Sequence, residues 1–407
     1  MNRKSIVSRY ALLFISILGC LILLWFLAIF IQGQFSNQFG IFFIDLQDFW
    51  ADMLNVVGYS SQLDPYNNLM YTGLQEKAYP PLAYLFTWLY SRFQDMGMFY
   101  DMNSFLHLYV LPHFLVPWLL TLLLIMLFYY ELIRSGKSGN HGMKVATALV
   151  FLFSGPMLYS LERGNIVLLS AMLCLAFVLS YRSDNLVLRE LGYICLAMAA
   201  GLKLSPAVLG LVLIRERRWR DAVRTVIYGL VFFFVPFLCL KGGFANIPLF
   251  LRNLSLNQEA YRHSVGCSIR NLLDCFGALL HVEIPAIAVT IVSLLFAAYF
   301  VYIGFTGSTA WLRLLALTLI ILVVPTFSHY YNVLYLIPSA LLFLNETEHE
   351  KIDVIVLVAL LLVFSPIVSW ITDLGIDWRA GVLLLSLFTV ITPLFRAGRK
   401  PKSEAAA

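Results

Sequence analysis

The chain has 407 residues, of which 60% are hydrophobic and only 13% charged, with a formal net charge of +5 and a mean hydropathy of +0.82. Long uncharged runs recur from end to end, which excludes a separate soluble domain, and the basic excess reports orientation in a membrane rather than nucleic-acid binding. Backbone in lipid must satisfy its hydrogen bonds within its own segment, and the alternating pattern of a barrel is missing. The expected fold class is therefore all-α, a polytopic membrane protein with residues 1–407 as one integral domain.

The first apolar run, Tyr10 to Ile31, is long enough to span and lacks a small-x-small cleavage site, so it reads as an uncut anchor. With the N-terminus in the cytoplasm, about nineteen Lys and Arg fall on cytoplasmic ends and about nine outside. A first outer loop then covers residues 32–105. Within it a helix from Asp45 to Val57 places Asp45, Asp48 and Asp52 on one face and Phe49, Met53 and Val56 on another. Three carboxylates that close repel one another, a setting that suits one of them as a general base; the competing reading is a solvated face at the membrane interface.

Tyr79-Pro80-Pro81 opens an apolar piece ending near Phe93, whose rise of about 18 Å is too short to span. Residues 106–133 return to the cytoplasm, residues 145–161 cross outward, Glu162-Arg163-Gly164-Asn165 makes a tight turn, and residues 166–180 come back. The run Leu191 to Ile214 breaks at Gly201-Leu202-Lys203-Leu204-Ser205-Pro206. A single crossing there would carry five arginines outside, against the charge rule. Lys203 then lies below the outer surface in a wet cavity, because a charge in the lipid core costs roughly 3 kcal/mol or more.

Residues 241–283 form a second outer loop, and Leu314 to Leu344 breaks again at Pro325-Thr326-Phe327-Ser328-His329-Tyr330-Tyr331-Asn332. A last pair, residues 353–370 and 381–395, leaves both termini in the cytoplasm after about twelve spanning or half-spanning helices. Of six cysteines, Cys20, Cys174, Cys195 and Cys239 lie in apolar runs, while Cys267 and Cys275 share the second loop. In a helix those two would stand roughly 12 Å apart, beyond disulfide reach. No Cys or His spacing matches a zinc or haem site.

Polar residues thus gather on one side, in the two loops and at the two breaks. Lys203, His329 and an arginine, Arg270 or Arg163, at headgroup depth make an anion site, and the implied substrate is a lipid phosphate carrying a transferable group. Each has a bland reading as well: Lys203 snorkelling, His329 and Tyr330 as interfacial caps, Arg163 as a surface turn residue. Trp50 and Tyr79 are candidates for stacking on a sugar, or members of an aromatic belt.

The ordered set Asp48-Phe49, Asp64-Pro65-Tyr66, Tyr79-Pro80-Pro81, Arg163-Gly164-Asn165, Gly201 to Pro206 and Ser328-His329-Tyr330 resembles the GT-C glycosyltransferases, and within them glycosyltransferase family 87. That resemblance implies an inverting transferase that takes a sugar, mannose first, from a polyprenyl phosphate at the outer face of the cytoplasmic membrane. The acceptor would be a glycolipid, glycan or protein hydroxyl. By carry-over Asp48 is the base, with Asp45 as the alternative one helical turn away, and Lys203 and His329 face the donor phosphate. The first loop has no Asp-x-Asp pattern, so no metal or other cofactor is expected. A transporter or flippase for a lipid-linked or small anionic substrate is the competing class, since broken helices around a buried lysine occur there too.

Overall fold

The computed structural model describes residues 8–33, 51–68, 73–92, 141–261, 266–367 and 378–396, and among these every regular element is helical. In chain order the first helices are α1 (Arg9–Gln32), α2 (Ala51–Ser60), α3 (Pro81–Ser91), α4 (His141–Leu152), α5 (Gly155–Arg163) and α6 (Val167–Ser180). There follow α7 (Leu186–Leu202), α8 (Leu211–Arg215), α9 (Trp219–Phe234), α10 (Asn246–Ala260) and α11 (Ile269–Leu280). The chain closes with α12 (Ala286–Thr306), α13 (Ala310–Val323), α14 (Ile337–Leu344), α15 (Val354–Phe364) and α16 (Trp378–Arg396).

Three helical stretches, Arg9–Gln32, Trp219–Cys239 and Ala286–Thr306, are long and apolar enough to cross a bilayer. They present apolar side chains outward, with Phe30 86%, Ile31 73% and Ile287 67% exposed, which is the surface a membrane protein turns to lipid. The other apolar helices are short, as a chain of broken arms requires. α7 stops at Leu202, and a 3-10 turn, Ser205–Gly210, packs back on it. α13 stops at Val323, and the non-helical stretch through His329 leads to the 3-10 turn Tyr330–Leu336 and α14.

α13 is the centre of the main core. Apart from Arg313 and Thr318 it is apolar, and it is buried on nearly every side from Trp311 to Val323, the pattern of a helix with neighbours all round. A second core joins the two loop regions: Val56 and Tyr59 of α2 and Tyr84 of α3 pack with Tyr66, Phe237, Leu240 and Phe250 of α10. Polar bonds tie the same parts, Asn253 Nδ2 donating to the Tyr66 carbonyl at 2.9 Å and Asn257 Nδ2 to that of Gln75 at 2.8 Å.

Two expectations are corrected. The acidic helix does not end at Val57 but continues to Ser60, because Val57, Tyr59 and Ser60 are fully or almost fully buried against α3. Residues 145–161 are a bent pair rather than one continuous helix: α4 and α5 meet at 52°. The bend falls at Ser154-Gly155-Pro156, where Pro156 lacks the N–H that would continue the ladder.

The bend also explains Gly155. A Cβ there would overlap the Tyr330 hydroxyl and stand 2.6 Å from the Ser365 carbonyl oxygen, the two groups that hydrogen-bond each other at 2.8 Å. Gly155→Ala is expected to cost about 1–3 kcal/mol through overpacking and loss of that bond. A depressed unfolding temperature of the purified variant in detergent checks it.

Candidate functional site

Four chain breaks bring the polar residues together. α5 ends at Arg163, and Gly164 in the left-handed region (φ 61°) reverses the chain, a conformation a side chain would strain. Asn165 follows at the start of α6. Its Oδ1 accepts from the Val167 N–H at 2.9 Å, capping that helix, while its Nδ2 donates to Asp52 Oδ2 at 2.5 Å. Arg163 reaches the other oxygen, Nη2 to Oδ1 at 2.7 Å and Nε to Oδ1 at 3.2 Å. The pair is about four-fifths buried, each side chain 19% exposed. Asp52 of α2 is therefore held by donors on both oxygens, and α2 is latched to the α5–α6 turn. The bland reading of Arg163 as a surface turn residue does not hold, since it is paired and mostly buried, and its neighbour Glu162 is 4% exposed.

Lys203 follows α7 in extended conformation (φ −152°, ψ 124°), which turns its side chain away from the helix and toward the second break. Its Nζ donates to Asn332 Oδ1 at 3.1 Å and stands 5.3 Å from the centre of the Tyr331 ring. An ammonium has three donors, and among the described residues Asn332 accepts from one of them. Asn332 is oriented in turn by donating to Ser328 Oγ at 3.1 Å. Beside it His329 stacks on Tyr159 at 5.5 Å and on Tyr331 at 5.7 Å. The His329 Nδ1 is buried with no hydrogen-bond partner among the described residues. Asp52 lies within electrostatic reach of both Lys203 and His329.

Arg270 stands one position into α11, whose start is fixed by a capping box of Ser268 and Asn271. The chain just before it is pinned to the same break, the Cys267 N–H donating to the Ser328 carbonyl at 3.4 Å. Arg270 Nη1 is buried and also lacks a partner among the described residues. Tyr79, just ahead of α3, approaches Asn165 and lies near Asp52. The Tyr330 hydroxyl donates to Ser365, and its ring stacks on Trp378 at 5.0 Å and lies 5.9 Å from Tyr159. Asp45, Asp48 and Trp50 lie outside the described residues.

Sequence reading did not single out Lys77, which is 0% exposed and sits 4.7 Å from the Tyr59 ring centre. Burial lowers its ammonium to about 8, and Glu76 offsets part of that. Glu76 accepts from the Tyr261 hydroxyl, a second tie between the loop regions. A charged residue between Glu and a Tyr-Pro-Pro turn carried no signal of burial. Among the described residues no three His, Cys, Asp or Glu are grouped to hold a metal ion.

Among the described residues the Lys203 ammonium meets one acceptor and His329 Nδ1 and Arg270 Nη1 meet none, whereas Arg163 is already neutralised by Asp52. Comparison with protein families gives a match to Glycosyltransferase family 87 over residues 78–328. That span runs from Tyr79-Pro80-Pro81 to Ser328 and includes Arg163, Asn165, Lys203 and Arg270. Neither the curated proteins nor the solved structures contain a significant match.

Proposed function

The chain belongs to glycosyltransferase family 87, and from that premise we propose that it moves a sugar, mannose as first candidate, from a polyprenyl-phosphate donor to an acceptor hydroxyl. The observation that supports a phosphate donor is the unspent hydrogen-bonding capacity of Lys203, His329 and Arg270, two of them cations. The acceptor O–H gives its proton to Asp48, or to Asp45, as its oxygen attacks the anomeric carbon. The bond from that carbon to the phosphate oxygen breaks on the opposite face, so the anomeric centre inverts. Lipid phosphate leaves with the electron pair, its charge taken up by Lys203, His329 and Arg270.

The Asp52–Arg163–Asn165 latch holds the start of α2 within electrostatic reach of Lys203 and His329. Cationic side chains fill the role a divalent ion would have, so the reaction proceeds without metal. The enzyme works as one domain in the cytoplasmic membrane, with its site on the outer face and both termini inside.

The test is purified protein in detergent with EDTA, given radiolabelled polyprenyl-phosphate-mannose and a panel of glycoside acceptors. Label moving to an acceptor supports the reading. A donor that stays intact across sugars and acceptors overturns it in favour of transport, which flipping of the same lipid in proteoliposomes would reveal.

A further inference from the structure

The end of α7 remote from Lys203 carries a cluster of charge that the proposed reaction does not use. α7 runs from Leu186 to Leu202, so a rise of about 25 Å separates its two ends. Residues 182–190 and 215–224 hold seven arginines and four acidic residues. Three of the acids are taken: Glu216 by Arg182 and the Tyr181 hydroxyl, Asp221 by Arg218 and Arg224, and Glu190 by Arg224 and the Tyr228 hydroxyl. The fourth, Asp184, is exposed in the α6–α7 turn. Arg217 and Arg220, both exposed, have no acidic partner among the described residues.

Their places are fixed by the backbone. α8 ends and the chain turns through Arg217 in the left-handed region (φ 57°). The Arg217 and Arg218 N–H groups donate to the Ile214 and Leu213 carbonyls at 3.0 and 2.9 Å, which closes the turn. α9 starts at once with Trp219, the first residue of a stretch long and apolar enough to cross a bilayer. Arg220 shares a face with Val223 and Ile227, three and seven residues further on. Trp219, Val223, Val226, Ile227 and Leu230 are all half or more exposed. The lipid-facing stripe of α9 therefore begins beneath an indole and two unneutralised guanidinium groups, where a recess lined by Trp219, Arg220, Val223 and Arg224 opens.

Tryptophan at the end of a span sits at headgroup depth, and arginine at that depth pairs with phosphate. A zwitterionic headgroup brings its own cation and gains less from uncompensated arginines. A soluble anion gains nothing from the apolar stripe below them. The ligand that answers both features is an acyl chain joined to a negatively charged phosphodiester.

We infer that Arg217, Trp219 and Arg220 form a binding site for an anionic phospholipid, its phosphodiester on the two arginines and an acyl chain along Val223, Ile227 and Leu230. The site stands at the opposite end of α7 from Lys203 and does not rest on the reaction proposed above.

The experiment titrates the full-length protein in neutral detergent with dioleoyl phosphatidylglycerol or dioleoyl phosphatidylcholine and reads retained lipid by native mass spectrometry. The wild type is compared with the double variant Arg217→Gln, Arg220→Gln and with Lys203→Met. An arginine beside an anionic headgroup contributes about fivefold in affinity, so the wild type should prefer phosphatidylglycerol by at least about tenfold. The double variant should bring the two lipids within about threefold of each other, and Lys203→Met should keep the preference. If the double variant does not elute as a folded species, the two single substitutions decide, each expected to cost about fivefold. Equal affinity for both lipids in the wild type, or a preference that survives loss of both arginines, overturns the inference. A preference lost in Lys203→Met and kept in the double variant places the lipid at the other end of α7 and overturns it as well. Displacement of the lipid by millimolar inorganic phosphate at constant ionic strength would reveal a simple anion site with no part for the acyl chain, and this too overturns it.

Discussion

Asp48→Asn is expected to lower kcat by about 10² to 10⁴, the range a positioned general base contributes, while the KM for donor changes little. The substitution keeps size and hydrogen-bonding shape and removes only the ability to take the acceptor proton. In the proposed site the donor phosphate is held by Lys203, His329 and Arg270, which the substitution leaves untouched. Asp45→Asn is the matched control: a loss confined to Asp48→Asn assigns the base, a loss confined to Asp45→Asn moves the role there, and wild-type rates in both would dismiss this stretch from the chemistry. Asp52→Asn should behave differently. Its carboxylate is already occupied by Arg163 and Asn165, so its removal leaves a guanidinium without its counter-charge and loosens α2, an effect on stability and turnover together.

That contrast marks where sequence reading worked and where it could not. The break at Lys203 was visible because a single crossing would carry five arginines outside, that at His329 because its run is too long for one span, and both carry Gly, Pro or Ser at the middle. Both are helix ends in the structure. Asp52 stood out by its spacing from Asp45 and Asp48. What Asp52 pairs with was not: Arg163 is 111 residues away, and nothing local in Glu162-Arg163-Gly164-Asn165 distinguishes a solvated turn from a buried latch. Tyr330 was drawn into the candidate site by its neighbour His329, but what it touches, Ser365, Trp378 and Tyr159, was not legible locally. The shared core of the two loops escaped for the same reason as the latch. Tyr66, Phe237 and Phe250 each look like interfacial aromatics until the chain is folded.

Lys203→Met should lower turnover by about 10² to 10³, comparable with removing one preorganised donor from a developing negative charge. Methionine keeps the length of the stem and removes the ammonium together with its place over the Tyr331 ring. The effect should be larger on kcat than on donor KM, because the phosphate gains charge as the anomeric bond breaks and Lys203 then meets more charge than in the ground state. Asn332 loses its partner in this variant, and an unpaired Oδ1 costs about 1–3 kcal/mol of stability, which a modest fall in unfolding temperature would register. Lys203→Arg should rescue poorly, since a planar fork cannot place a donor where the ammonium bonds Asn332 and still lie over Tyr331. Turnover of Lys203→Met within threefold of wild type would mean that His329 and Arg270 carry the leaving-group charge without it, and the site would then be centred on α11 and the second break rather than on the end of α7.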